Sequence, residues 1–103
     1  MDATLLKKIC EFQKRGQAVA LVTIIETKGS TPRKAGSQML VLPNGAVQGT
    51  IGGGCAEAEA KQQALLALQI GKARLYTVEM LNAVAAEEGM VCGGTMTLFM
   101  QVL

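Results

Sequence analysis

Three consecutive glycines, Gly52, Gly53 and Gly54, interrupt the chain in the run Gly49-Thr50-Ile51-Gly52-Gly53-Gly54-Cys55-Ala56-Glu57, and they limit the possible folds more than any other stretch. A glycine loses extra backbone entropy on ordering and brings no side chain to a core, so such a run suits the interior of neither a helix nor a strand. The residues before it, 46–51, are apolar and strand-like. Those after it, 55–70, are strong helix formers that end at Gly71. The run is therefore a strand-to-helix junction. Its glycines serve a positive φ, the close approach of another backbone, or the close approach of a ligand.

The remaining segments arrange themselves around this junction. Residues 2–15 carry Leu5, Ile9 and Phe12 at helical spacing, with Asp2 placed to cap the start and Gly16 to stop the end. Cys10, beside that stripe, reads as core filler. Residues 18–27 are almost continuously apolar and rich in β-branched side chains, which predicts a central strand covered on both faces. Residues 38–42 and 46–51 form a hairpin about Pro43-Asn44-Gly45. Residues 73–78 read as a strand, 81–90 as a short helix or loop, and 95–103 as the last strand. The order predicts one compact domain over residues 1–103, α/β or α+β, with a mixed sheet of about five strands and two main helices packed on it.

Composition removes several classes of function. Ten Lys/Arg against eight Asp/Glu leave a net charge of +2, scattered along the chain, too little for a nucleic-acid footprint. Phe12, Tyr76 and Phe99 are the sole aromatic residues, too few for base-stacking platforms. No apolar run is long enough to span a membrane, and the N-terminus lacks the apolar block of a secretory signal. Cys10, Cys55 and Cys92 are an odd, sparse set that points to a reducing cytoplasm. Without a Cys-x-x-Cys pair they do not predict a metal centre. The absence of histidine excludes Ser-His and Cys-His catalytic arrangements.

Three stretches carry unusual chemistry. The glycine run feeding a helix N-terminus offers unpaired N–H groups to an anion; equally, it serves as a tight turn with glycines for close packing. Cys55 lies at the same helix end, a setting in which a thiol attacks, accepts sulfur or ligates a soft metal, the alternative being a buried inert residue. In Gly29-Ser30-Thr31-Pro32-Arg33 the hydroxyls donate to anions, and Arg33 offers a planar fork for phosphate or carboxylate. Cys92-Gly93-Gly94 resembles Gly53-Gly54-Cys55 written backwards, and a pocket with glycine walls and two sulfurs follows if the two lines meet. A dinucleotide fingerprint is not met, because Glu57 stands where its third glycine belongs and would repel a pyrophosphate.

Taken together, G-S-T-P-R-x-x-G-x-x-M at 29–39, G-x-I-G-G-G-C-x-E at 49–57 and C-G-G at 92–94 resemble the N-terminal domain of the XdhC/CoxI family, the xanthine dehydrogenase accessory proteins. The resemblance covers nearly the whole chain. It implies an accessory protein, not a turnover enzyme, that holds the molybdopterin-type molybdenum cofactor as cargo, protects it while its terminal sulfur ligand is installed, and passes it to an apo molybdenum hydroxylase. It implies cofactor binding at Ser30, Thr31 and Arg33, at Gly52, Gly53, Gly54, Cys55 and Glu57, and at Cys92, Gly93 and Gly94. Many members carry a bulkier apolar residue where Ala56 stands and an acid near Gln101, and members usually continue into a C-terminal Rossmann-like domain. A chain ending at Leu103 is then expected to stand alone or to work with a separate Rossmann-like chain, alongside a sulfur donor. Exposed strand edges predict a homodimer. Two other readings stay open: a cysteine-dependent sulfur-transfer or nucleophilic enzyme using Cys55 with Glu57 as proton acceptor, and a structural interaction module of a two-chain accessory factor.

Overall fold

A computed structural model of the chain describes residues 1–80 and 93–103. The first helix, α1, spans Ala3–Lys14; Asp2 caps it, its Oδ1 accepting the Thr4 N–H at 2.6 Å. Leu5 and Ile9 are its buried line, with Phe12 partly covered beside them. Cys10 is exposed, contrary to its reading as core filler. One residue past Ile9 the helix has turned by about 100°, which carries this side chain off the buried line into solvent.

Strands β1 (Ala20–Lys28), β2 (Gln38–Val41), β3 (Val47–Gly49), β4 (Arg74–Glu79) and β5 (Thr95–Val102) form one sheet in the order β3-β2-β1-β5-β4, with helix α2 (Gly54–Ile70) between β3 and β4. The central, doubly covered strand expected at 18–27 is β1. Val19 and Leu21 pack toward α1 with Leu40 and Leu42, and Ala20, Val22 and Ile24 pack toward α2. The five strands and two helices match expectation, but every pairing among them is antiparallel, so the sheet is not mixed. The connection from β3 through α2 to β4 joins the two edges of the sheet. With three strands between them, those two strands never become neighbours.

The β2–β3 hairpin turns where Asn-Gly predicts. Leu42 N–H donates to Ala46 O at 2.9 Å, Gly45 takes a φ of +88°, and Asn44 Oδ1 accepts the Ala46 N–H at 2.9 Å. Strand β3 is shorter than the 46–51 expected, because Gly49 at φ +85° turns the chain out of the ladder. Ile51 is then fully buried beneath α2. The face that α2 lays on the sheet is alanine: Ala56, Ala60, Ala64 and Ala67. These small side chains let helix and sheet approach closely, while Met39, Met96, Leu98 and Met100 fill the space from the strands. At the β4 edge the Tyr76 hydroxyl donates to the Glu59 carboxylate, and Arg74 donates to Gln63 Oε1 at 2.8 Å. The Glu59 hydrogen bond first, then desolvation, raises the Tyr76 pKa above its ordinary value, so the phenol stays a donor at neutral pH. Residues 81–90, expected as a short helix or loop, lie outside the described residues.

Candidate functional site

An alternating antiparallel sheet sends every second strand end to the same edge. Here the end of β1, the starts of β2 and β5, and the ends of β3 and β4 all point one way. All three motif segments leave the sheet at that edge. Strand β1 runs on from Thr23, the last of its residues paired with β2, to Lys28, paired with Thr95. Residues 29–37 return along that overhang until Ser37 O accepts the Ile24 N–H at 2.9 Å.

The glycine junction has a distinct conformation: Gly52, Gly53 and Gly54 hold φ values of +133°, +74° and +63°. Side-chain-bearing residues rarely adopt this region, so the backbone turn itself accounts for three glycines in a row. Gly52 N–H donates to Thr50 Oγ1 at 3.0 Å, and the Thr50 hydroxyl donates to Glu57 Oε2 at 3.0 Å. Glu57 thus clamps the turn from the first turn of α2. The Gly53 N-cap offers no side-chain acceptor, which leaves the leading N–H groups of the helix without a capping side chain.

The other two segments meet each other directly. Gly94 N–H donates to Ser30 O at 2.9 Å, Met80 N–H donates to Gly94 O at 2.9 Å, and a Cβ on Gly29 would stand 3.1 Å from Gly94 Cα. A Cβ on Gly52 would lie 2.4 Å from Pro32 Cγ, so the glycine junction rests on the Pro32 ring. The loop at 29–33 is therefore the middle link, touching Gly93 and Gly94 on one side and Gly52 on the other. The sequence left open whether the glycine junction and the 92–94 segment meet; among the described residues the 29–33 loop links them. Cys92 lies outside the described residues, and so does the two-sulfur pocket that needed it. The sequence marked Pro32 as a residue that stiffens the 29–33 loop, not as a neighbour of Gly52, and did not single out Thr50. For Thr50 a signal existed, since a Thr hydroxyl accepting the N–H two residues on is a recurrent local turn.

Within this arrangement Cys55 is exposed, which rules out the buried inert reading. Thr31 Oγ1 donates to Arg33 O at 2.9 Å, fixing the loop backbone. The Arg33 guanidinium makes no hydrogen bond or ion pair to any described residue; the ion pairs among those residues are Lys8–Glu11 and Lys28–Glu26, each at 3.5 Å. Arg33 and Thr50 also border an open cleft of about 510 Å³ between the start of α1, residues 33–38 and the end of β3. No three His, Cys, Asp or Glu side chains among the described residues cluster to hold a metal ion. No helix among them is long and apolar enough to cross a membrane.

The fold of this chain is shared with a solved protein. A xanthine dehydrogenase of Bacillus halodurans superposes with a TM-score of 0.69 over 94% of this chain and 30% of that one, at 23% identity, a likeness of fold. The sequence places the chain more closely. The model of the XdhC and CoxI family matches residues 12–79, and the chain belongs to that family. It is 38% identical over 92 residues to the uncharacterized protein YqeB of Escherichia coli K12, which covers 89% of this chain and 17% of that protein. It is 37% identical over 71 residues to the molybdenum cofactor insertion chaperone PaoD of the same organism, covering 69% of this chain and 22% of that protein. The chain thus spans about a fifth of the length of these curated relatives.

Proposed function

We propose that this domain binds the molybdenum cofactor as cargo during the maturation of molybdenum hydroxylases such as xanthine dehydrogenase, and that it acts as a carrier, not as a catalyst. Kinship with a molybdenum cofactor insertion chaperone supports the class of function. The observation that carries the reading is the joining of the 29–33 loop to both the glycine junction and Gly93-Gly94, with an exposed Cys55 and an Arg33 that pairs with no described residue in the same assembly.

Those groups fit the cargo. A phosphate takes the planar fork of Arg33, with the Ser30 and Thr31 side of the loop beside it. The uncapped N–H groups of Gly54 and Cys55 suit a second anionic group. The Cys55 thiol is the soft donor appropriate to the metal or to its terminal sulfur. The Gly93-Gly94 segment holds the loop in position, and Glu57 holds the junction. Because Glu57 is engaged by Thr50, it is poorly placed to take a proton from Cys55, which weighs against the nucleophilic-enzyme reading. Recipient and surroundings follow from the same reading: an apo molybdenum hydroxylase, a sulfur donor, a Rossmann-like partner module, a homodimer through the open β3 or β4 edge, and the cytoplasm.

The test is to purify the chain from cells that make the cofactor and to assay molybdenum and pterin against protein. Equimolar molybdenum and pterin are expected. Protein that carries neither, and that binds none on direct addition, contradicts the reading.

A further inference from the structure

The cleft beside α1 contains polar groups that the fold itself does not use. Thr4, Arg33, Ser37, Gln38, Gln48 and Thr50 line it, and neither Arg33 nor Gln48 has a side-chain partner among the described residues. Gln38 spends its Nε2 on Thr23 Oγ1 at 3.1 Å, and its amide oxygen makes no bond to a described residue. Asp2, the carboxylate among the described lining residues, accepts the Thr4 N–H at the α1 cap, and Arg33 is the cationic side chain among them. Met1 and Leu5 add aliphatic carbon to the lining, and Gly36 and Gly49 add backbone. A Cβ on Gly49 would stand 2.8 Å from Gln38 O and 3.6 Å from Leu5 Cδ2, so the glycine there leaves the cleft its depth.

We infer that this cleft takes the phosphorylated pterin end of the cargo, an inference that rests on the carrier reading and sharpens it. Side-chain amides present a donor and an acceptor side by side, which is what the edge of a pterin ring presents in return. Aliphatic carbon in the lining suits the face of such a ring, and the guanidinium suits its phosphate. A volume of about 510 Å³ accommodates a group of that size. Thr50 connects this cleft to the junction, since it lines the one and bonds Gly52 N–H and Glu57 in the other. A ligand with its pterin here therefore directs its metal end toward the turn that leads into Cys55.

The probe is the oxidised, fluorescent phosphopterin prepared from the cofactor, titrated into the full chain with inorganic phosphate as competitor. Gln48→Leu removes both amide contacts. Gln48→Glu keeps the shape but replaces the amide's N–H donors with a carboxylate that only accepts. Each should weaken phosphopterin binding roughly tenfold or more, while Gln62→Glu, the same change on the exposed side of α2, leaves it unaltered. Far-ultraviolet circular dichroism checks that the variants fold. Phosphopterin binding indifferent to both Gln48 changes, or absent while intact cofactor still binds, overturns the cleft assignment and leaves the carrier reading standing. If neither phosphopterin nor intact cofactor binds the wild-type chain, both fail.

Discussion

Replacing Gly94 with alanine is expected to destabilise the domain by about 3–4 kcal/mol, at the upper end of overpacking costs. The added methyl would stand 2.3 Å from Lys28 O, 2.6 Å from Ser30 O and 2.8 Å from Thr31 Cγ2. Two of those three neighbours are backbone, so no rotamer change relieves the clash. The loop must lift off β5, which also stretches the Gly94 to Ser30 hydrogen bond. Domains of this size lose roughly 4–8 °C of Tm per kcal/mol, so a fall of about 12–32 °C in a thermal melt is the expected result. A loss of less than about 1 kcal/mol would mean that the loop and the 93–94 segment are not in contact in solution.

A second large effect is expected at Gly52, and here a comparison isolates its cause. Gly52→Ala combines a φ of +133° with a Cβ 2.4 Å from the Pro32 ring, and should cost about 3 kcal/mol, part strain and part overpacking. Gly54→Ala shares the positive φ, at +63°, but meets nothing within 4 Å, and should cost only about 1–2 kcal/mol. Adding Pro32→Ala to Gly52→Ala removes the nearest ring carbon and should recover part of the loss, a coupling of about 1 kcal/mol in a double-mutant cycle. Equal costs at the two glycines, with no coupling to Pro32, would place the junction away from the loop. Denaturant melts read all four values.

The same contacts explain how much of the molecule was legible in its sequence. Local signals found every helix and strand of the described residues, because Asp2, Asn44-Gly45 and Gly71 each act within a few residues of themselves. The β-branched run at 18–27 also announced its place in the centre of the sheet. Long-range facts were not legible. That Gly52 faces Pro32 and Gly94 faces Lys28 O depends on which strands become neighbours, and nothing near a glycine in sequence records what will approach it. The antiparallel sheet was hidden for the same reason, since a strand-helix-strand order reads alike whether the crossover joins neighbours or opposite edges. Cys10 was misread because helical spacing gives a stripe but not its width. The cleft was missed because its walls come from α1, the 33–38 loop and β3, three segments whose polar residues look individually like solvated surface.

For the site, sequence supplied the candidates and structure supplied their connections. Gly52 and Gly94, expected as ligand-facing glycines, are pressed against neighbouring parts of the protein. They hold the three motif segments together, while Cys55 is exposed, the start of α2 has no capping side chain, and Arg33 pairs with no described residue. The chain spans about a fifth of the length of its curated relatives, and the part proposed for it is to hold the cargo.

That claim meets its most direct test in differential alkylation. Cys10 and Cys55 are both exposed, one on α1 far along the chain from the motifs and one at the junction, so each molecule carries its own reference. The chain is labelled with iodoacetamide with and without bound cofactor, and the Cys10 and Cys55 peptides, two of the three cysteine peptides of the chain, are quantified by mass spectrometry. The account predicts that cofactor slows labelling of Cys55 severalfold and leaves Cys10 unchanged. Cofactor bound at full occupancy with both cysteines labelled as fast as before would contradict it.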